Sequence, residues 1–385
     1  MEIELSEDLR MMKAQVRRFI DSEVIPIERE ASDGFDMKPE IRARLEAKTR
    51  DLGYWFVELP EDKGGLGLGL MARVLLWEEM GRTIAVPPRK QSIFGPEVSP
   101  MLLNLAPAQK EKYLLPVMSG EKKSCFALSE PDAGGDPGGI RTTAVRDGDD
   151  YVINGYKVFI TNAQAADFAQ VMAVTDPQKG RRGGISAFLV DMNTPGLTIA
   201  REQPTMMGDR PCELAFDNVR VPASALIGQE GKGFELAQDW INQGRLRHGA
   251  RAIGVIERCL EMAVNHARQR KTFGTSLADR QAVQWMLVDS YLDLKALRLM
   301  VYATTLAYDR GEDVRHDAYV VKMQGDRMSF EAADRCMQIH GGLGLTTDLP
   351  IEQFWRDQRS MMITEGPEEI LRGALAQKIL RDYAQ

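Results

Sequence analysis

Three patterns of apolar and polar positions follow one another along the chain. From about Glu7 to Gly120 the spacing is helical, interrupted at Pro26, Pro39, Pro60 and Pro87-Pro88, where the ring removes a backbone donor and ends a helix. From about Lys123 to Gly228 it switches to short runs with turn residues between them, among them Ala169–Thr175, Ile185–Val190 and Glu213–Val221. Asn154-Gly155 separates Tyr151–Ile153 from Tyr156–Ile160 and predicts a hairpin, because both residues tolerate positive φ. With no helices between these runs, antiparallel β is expected rather than a doubly wound sheet. From about Gly233 the helical period returns. Val283, Met286, Leu287, Ser290, Leu294, Leu297 and Val301 fall on one stripe, and Arg251–Arg268 and Val320–Ile339 behave alike.

The expected fold is therefore α+β and multidomain: a helical domain over 1–121, an antiparallel β domain over 122–232 and a helical bundle over 233–385. At 385 residues and 44% apolar, each part can bury a core of its own. The glycine-rich stretch Gly64–Gly69 has no β-run leading into it and reads as a loop, not a phosphate cradle.

Charge and cysteine usage narrow the partners. A net charge of −7 with 27% charged residues gives no basic face for nucleic acid. No apolar run approaches the roughly 20 residues that span a bilayer, so no membrane insertion is expected. The acidic start, Met1 to Asp8, is unlike a signal or transit peptide. Cys125, Cys212, Cys259 and Cys336 are scattered and the four histidines lack metal-ligand spacing, so neither a disulfide frame nor a metal site is expected. A reducing, cytoplasmic setting fits these features.

Several phrases carry a more specific signal. They are Phe126-Ala127-Leu128-Ser129-Glu130-Pro131-Asp132-Ala133-Gly134-Gly135-Asp136, Phe159-Ile160-Thr161-Asn162 and Phe216–Pro222. Arg270-Lys271-Thr272-Phe273-Gly274, Gln338-Ile339-His340-Gly341-Gly342 and Glu365-Gly366-Pro367 complete the set. In this order, on these structural blocks, they resemble the FAD-dependent acyl-CoA dehydrogenase family over nearly the whole chain. Asn193–Gly196 and Gly244-Arg245-Leu246-Arg247-His248 resemble more closely the branch that acts on 4-hydroxyacyl-CoAs.

The resemblance implies α,β-dehydrogenation of an acyl thioester. The α-hydrogen leaves as a proton, which needs a base and stabilisation of a developing enolate. The β-hydrogen leaves as a hydride, which no side chain can accept and FAD can. The resemblance makes Glu365 the base, its backbone N–H helping to hold the thioester carbonyl. Apolar residues before it predict burial and a raised carboxylate pKa; read without the family, it is a carboxylate at a helix start. In other branches the base comes from the position that Gly244 occupies, and glycine cannot serve. Asn242 and Arg245 match substrate-side positions, Arg245 one near the catalytic carboxylate; read without the family, Arg245 is a solvated surface charge, with Arg247 and Arg251 close by.

For FAD, the resemblance implies contacts from Phe126, Leu128, Ser129, Gly134, Gly135, Phe159, Thr161 and Pro367. It further implies that Arg270, Phe273, Gln281, Gln338, Gly341 and Gly342 reach the cofactor of a neighbouring subunit in a homo-oligomer, tetramer or dimer. An electron-transfer flavoprotein is the implied acceptor. This chain departs from the family pattern at four residues and in the segment Gly208–Phe216, which is shorter than in straight-chain members. Phe159 replaces a tryptophan, Gly135 a serine, and Pro367 and Glu369 stand where relatives carry Thr and Gln; a carboxylate at 369 would repel a phosphate. Two other readings remain open: a flavin oxidase or monooxygenase of the same fold that uses oxygen, and a redox-silent acyl-CoA binding protein.

Overall fold

A computed structural model describes residues 3–32, 36–89, 92–180 and 183–384. The chain packs as two compact units, one formed by Met1–Phe94 with Asn242–Gln385 and the other by Gly95–Ile241.

The first unit is helical. Its opening helices are α1 (Glu7–Phe19), whose N-cap Ser6 accepts a hydrogen bond from the Leu9 amide, and α2 (Pro39–Asp51), which starts on proline. Helix α3 (Gly69–Met80) is apolar nearly all round, and every residue from Leu70 to Met80 is buried. A helix of that composition has no solvent face and must lie at the centre. Its free N-terminal amides at Leu70 and Met71 donate to the Asp309 carboxylate at 2.8 and 2.9 Å.

The rest of this unit follows residue 241: α4 (Gly233–Gln269, which begins in the other unit), α5 (Gln281–Asp309), α6 (Arg315–His340), α7 (Ile351–Met361) and α8 (Glu368–Asp382). The α5 stripe is where its period predicts, with Ser290, Leu294, Leu297 and Val301 buried. Helices α3 and α4 approach to backbone contact. A Cβ on Gly254 would stand 2.0 Å from the Glu78 carbonyl oxygen, and one on Gly81 would stand 2.2 Å from that of Arg251. This packing fixes the middle of α4, from which the charged residues described below project.

The second unit holds several short helical segments, among them Pro100–Leu103, Pro107–Gln109 and Leu115–Ser119, and a seven-stranded sheet. Its strands are β1 (Ser124–Ala127), β2 (Thr143–Asp147), β3 (Asp150–Ile160), β4 (Phe168–Val174), β5 (Ile185–Asp191), β6 (Leu197–Glu202) and β7 (Cys212–Pro222). The order is β1-β4-β2-β3-β7-β6, with β5 also on β4.

Two sequence expectations are corrected here. The sheet is mixed, not purely antiparallel: β4 runs parallel to β1 and to β2. The residues of β4 are buried in succession rather than alternately, the pattern of a strand covered on both faces. Asn154-Gly155 is not a hairpin turn. It lies inside β3, where the register against β7 shifts between Ile153 and Gly155, and a Cβ on Gly155 would meet Thr142 Oγ1 at 2.3 Å. The hairpin turns instead at Gly148-Asp149, with Asp147 paired to Asp150 and Gly148 at φ 65°.

Candidate active site

In the helical unit, the chain between α7 and α8 reverses through Met362–Pro367. Glu365 sits there in the left-handed region, φ 54°, followed by Gly366 at φ 103°. A non-glycine residue in that region costs about 1–2 kcal/mol, which the surrounding contacts must hold in place. The side chain is 26% exposed and its carboxylate points at the middle of α4. Oε1 accepts a hydrogen bond of 2.5 Å from Arg247, and Oε2 faces His248 Nε2 at 3.6 Å.

Gly244 makes this seat possible. A Cβ there would lie 2.1 Å from Oε2, so any side chain would occupy the space that the carboxylate fills. The glycine thus carries no side chain of its own at 244 and leaves the space to the carboxylate of Glu365.

Behind His248 stands a second buried layer. Its Nδ1 lies 3.0 and 3.2 Å from the two Asp326 oxygens, and Asp326 also pairs with Lys322 at 3.1 Å. Lys322 in turn donates to the Met362 carbonyl at 3.2 Å, which ties α6 to the turn carrying Glu365. His248, Asp326 and Lys322 are all at most 2% exposed.

The electrostatics reverse one expectation from sequence. Burial does push the Glu365 carboxyl up, but Arg247 and His248 outweigh it and hold the group well below the usual carboxylate range. Burial lowers His248, while Asp326 and Glu365 more than compensate and leave it above the ordinary histidine value. Arg245 does not pair with Glu365. Its guanidinium lies over the Tyr319 ring, 4.6 Å from the centroid, and donates to Asn242 Oδ1 at 3.3 Å. Its Nε is buried without a hydrogen-bond partner, and burial lowers its pKa.

The other residues expected on this unit lie at the surface. Arg270, Phe273, Gln281, Gln338, Gly341 and Gly342 are exposed and Pro367 is half-buried beside Glu365. Phe273 is fully exposed at φ 50°, at the tip of the small hairpin joining Lys271-Thr272 to Thr275-Ser276.

In the sheet unit, the two phrases expected to face flavin come together. The Ser129 carbonyl accepts from the Val158 amide at 2.9 Å, which sets Leu128-Ser129 beside Phe159 and Thr161. Lys157 fixes the join. Fully buried, it donates to the Leu128 carbonyl at 3.0 Å and to Glu130 at 2.7 Å, and burial pulls its pKa down to about 8. Glu130 also accepts from the amides of Arg141 and Thr142. Phe159 is 62% exposed at φ 57°, an apolar ring turned outward by strained backbone. Phe126 and Gly135 are half-buried and Gly134 is exposed.

Arg247, His248, Asp326, Lys322 and Lys157 were not singled out as site residues from sequence. A signal existed for one pair: Lys322 and Asp326 stand at i, i+4 on the helix face that otherwise carries mostly small and apolar residues, among them Ala318, Val321, Gly325 and Ala332. Among the described residues no helix is long and apolar enough to cross a membrane, and no group of three His, Cys, Asp or Glu could hold a metal ion.

Comparison with known proteins covers almost the whole chain. Three family models match in order: acyl-CoA dehydrogenase N-terminal domain at residues 6–121, middle domain at 125–219 and C-terminal domain at 231–380. The chain is 36% identical to (R)-benzylsuccinyl-CoA dehydrogenase of Thauera aromatica, over 99% of this chain and 98% of that protein. It is 33% identical to the caffeyl-CoA reductase–Etf complex subunit CarC of Acetobacterium woodii, over 98% and 99%. Among solved structures, butyryl-CoA dehydrogenase from Megasphaera elsdenii superposes with a TM-score of 0.87 at 30% identity, covering 99% of this chain and all of that one.

Proposed function

The chain belongs to the acyl-CoA dehydrogenase family, whose members are FAD-dependent enzymes, and from that premise we propose that it oxidises an acyl-CoA between Cα and Cβ with Glu365 as the base. The observation that carries this reading is the seat of Glu365. A strained turn, a glycine that leaves room for one carboxylate and an arginine on Oε1 together hold a partly exposed acid in a single orientation. An acid at a helix start needs none of these.

The residues also fit the cofactor. The outward Phe159 ring, with Ser129 and Thr161 fixed on the same strand edge by Lys157, offers a flat apolar surface beside hydroxyl groups. No atom lies within 4 Å of where a Cβ would stand on Gly134, Gly341 or Gly342, so a phosphate could approach the backbone there. Bound FAD would accept the hydride from Cβ.

This chain's own groups do the rest. Arg247 orients the carboxylate and keeps it ionised. Arg245, held over the Tyr319 ring with a buried donor unspent, orients the acyl thioester together with Asn242. The α-proton passes to Glu365, and the backbone of the same turn steadies the thioester carbonyl as it gains charge. Phe273 and the exposed Trp285, Val288, Tyr291 and Leu292 on α5 support association with further copies of the chain. The Etf-complex relative supports an electron-transfer flavoprotein as acceptor.

Anaerobic titration of the FAD-loaded protein with a panel of acyl-CoAs tests the reading. The expected result is loss of flavin absorbance with at least one of them. A flavin that no acyl-CoA bleaches would overturn it.

A further inference from the structure

His248 lies between two carboxylates. Its Nδ1 faces Asp326 at 3.0 Å, its Nε2 faces Glu365 Oε2 at 3.6 Å, and the ring is fully buried. Both neighbours are acceptors, so only an imidazolium, with a proton on each nitrogen, matches both sides. A neutral ring keeps its proton on the nearer side, toward Asp326, and turns a lone pair toward Glu365. The charged groups around it are Asp326 and Lys322 from α6, Glu365 from the α7–α8 turn, and Arg245 and Arg247 from α4 itself. Of these, His248 alone has an ordinary pKa inside the physiological range.

We propose that His248, clamped by Asp326, is a positioning residue that sets how strongly Glu365 attracts the substrate's α-proton. The proposal rests on Glu365 being the base. As imidazolium, His248 stabilises the carboxylate and makes it a poorer base. When the ring loses its proton, that charge becomes a lone pair facing Oε2, and the proton affinity of Glu365 rises. Arg247 cannot vary in this way, since a guanidinium stays charged. Lys322 also pairs with Asp326, which directs the imidazole and favours its protonated form.

The test is the pH profile of anaerobic, single-turnover flavin reduction by a saturating acyl-CoA, on FAD-loaded protein. In the wild type the rate should rise about tenfold with pH, through an inflection above the ordinary histidine range, as a charge near a carboxylate is lost. His248→Gln, which is neutral at every pH, should lose the inflection. Asp326→Asn should keep it and move it to lower pH. A flat wild-type profile, or a His248→Gln profile scaled down equally at all pH with the inflection in place, would overturn the proposal. Should His248→Gln fail to fold, the shift in Asp326→Asn decides alone. Glu365→Gln separates the two levels: if it reduces flavin normally, the base assignment itself falls and this inference with it.

Discussion

Gly244→Ala is the smallest change that bears on the seat of Glu365. The added Cβ would stand 2.1 Å from Oε2, whereas ordinary contact begins at 3.4 Å, so the carboxylate must recede by about 1.3 Å. That movement breaks the 2.5 Å bond from Arg247 or swings the carboxylate out of its turn. Misplacing a reacting group by about 1 Å costs on the order of 10²-fold in rate. Stability should move the other way. Residue 244 lies inside a helix, where alanine is favoured over glycine by about 1 kcal/mol, and a flexible side chain can absorb the contact. The expected outcome is thus a variant that melts no lower than wild type, keeps its FAD and reduces it about a hundredfold more slowly. Thermal unfolding and anaerobic stopped-flow absorbance read the two quantities separately. Flavin reduction at wild-type rate in a folded Gly244→Ala protein would refute the argument that this glycine exists to seat the carboxylate.

Two further variants probe the sheet unit. Lys157→Met leaves Glu130 charged and buried, and breaking such a pair costs about 3–5 kcal/mol, so the melting temperature should fall clearly and FAD be lost more readily; an unchanged melting curve would count against the role given to the pair. Phe159→Gly relieves a left-handed backbone by about 1 kcal/mol but removes an aromatic surface of about 0.5–1.5 kcal/mol. The FAD-free protein should be as stable as wild type or more so, while FAD dissociation measured by fluorescence should speed up several-fold; unchanged retention would place the flavin elsewhere.

What the sequence makes legible is local. The α5 stripe, the helix breaks at Pro39 and Pro60 and the place of Glu365 just before a helix all follow from neighbours within a few residues, and the structure has each of them. The parallel pairing of β4 joins segments about 30 to 45 residues apart, and only its largely apolar run hints at burial on both faces. Asn154-Gly155 carries the right turn chemistry, yet its glycine serves close contact with Thr142. The acidity of Glu365 was read in the wrong direction for the same reason. Apolar neighbours in sequence predict desolvation, but Arg247 and His248 arrive from more than a hundred residues away and outweigh it. Nothing near Arg247 in the sequence marks its reach to Glu365. Arg245, expected near the carboxylate, lies within reach of its charge without pairing to it, its guanidinium over the Tyr319 ring.

The most direct measurement follows the α-proton itself, apart from any hydride transfer. An acyl-CoA that lacks β-hydrogens can be incubated in D₂O with the FAD-loaded enzyme and its α-deuterium content followed by NMR. The wild type should exchange the α-protons, and Glu365→Gln, equal in size and still folded, should exchange them at least about 10²- to 10⁴-fold more slowly. Exchange by Glu365→Gln at close to the wild-type rate would show that the base lies elsewhere.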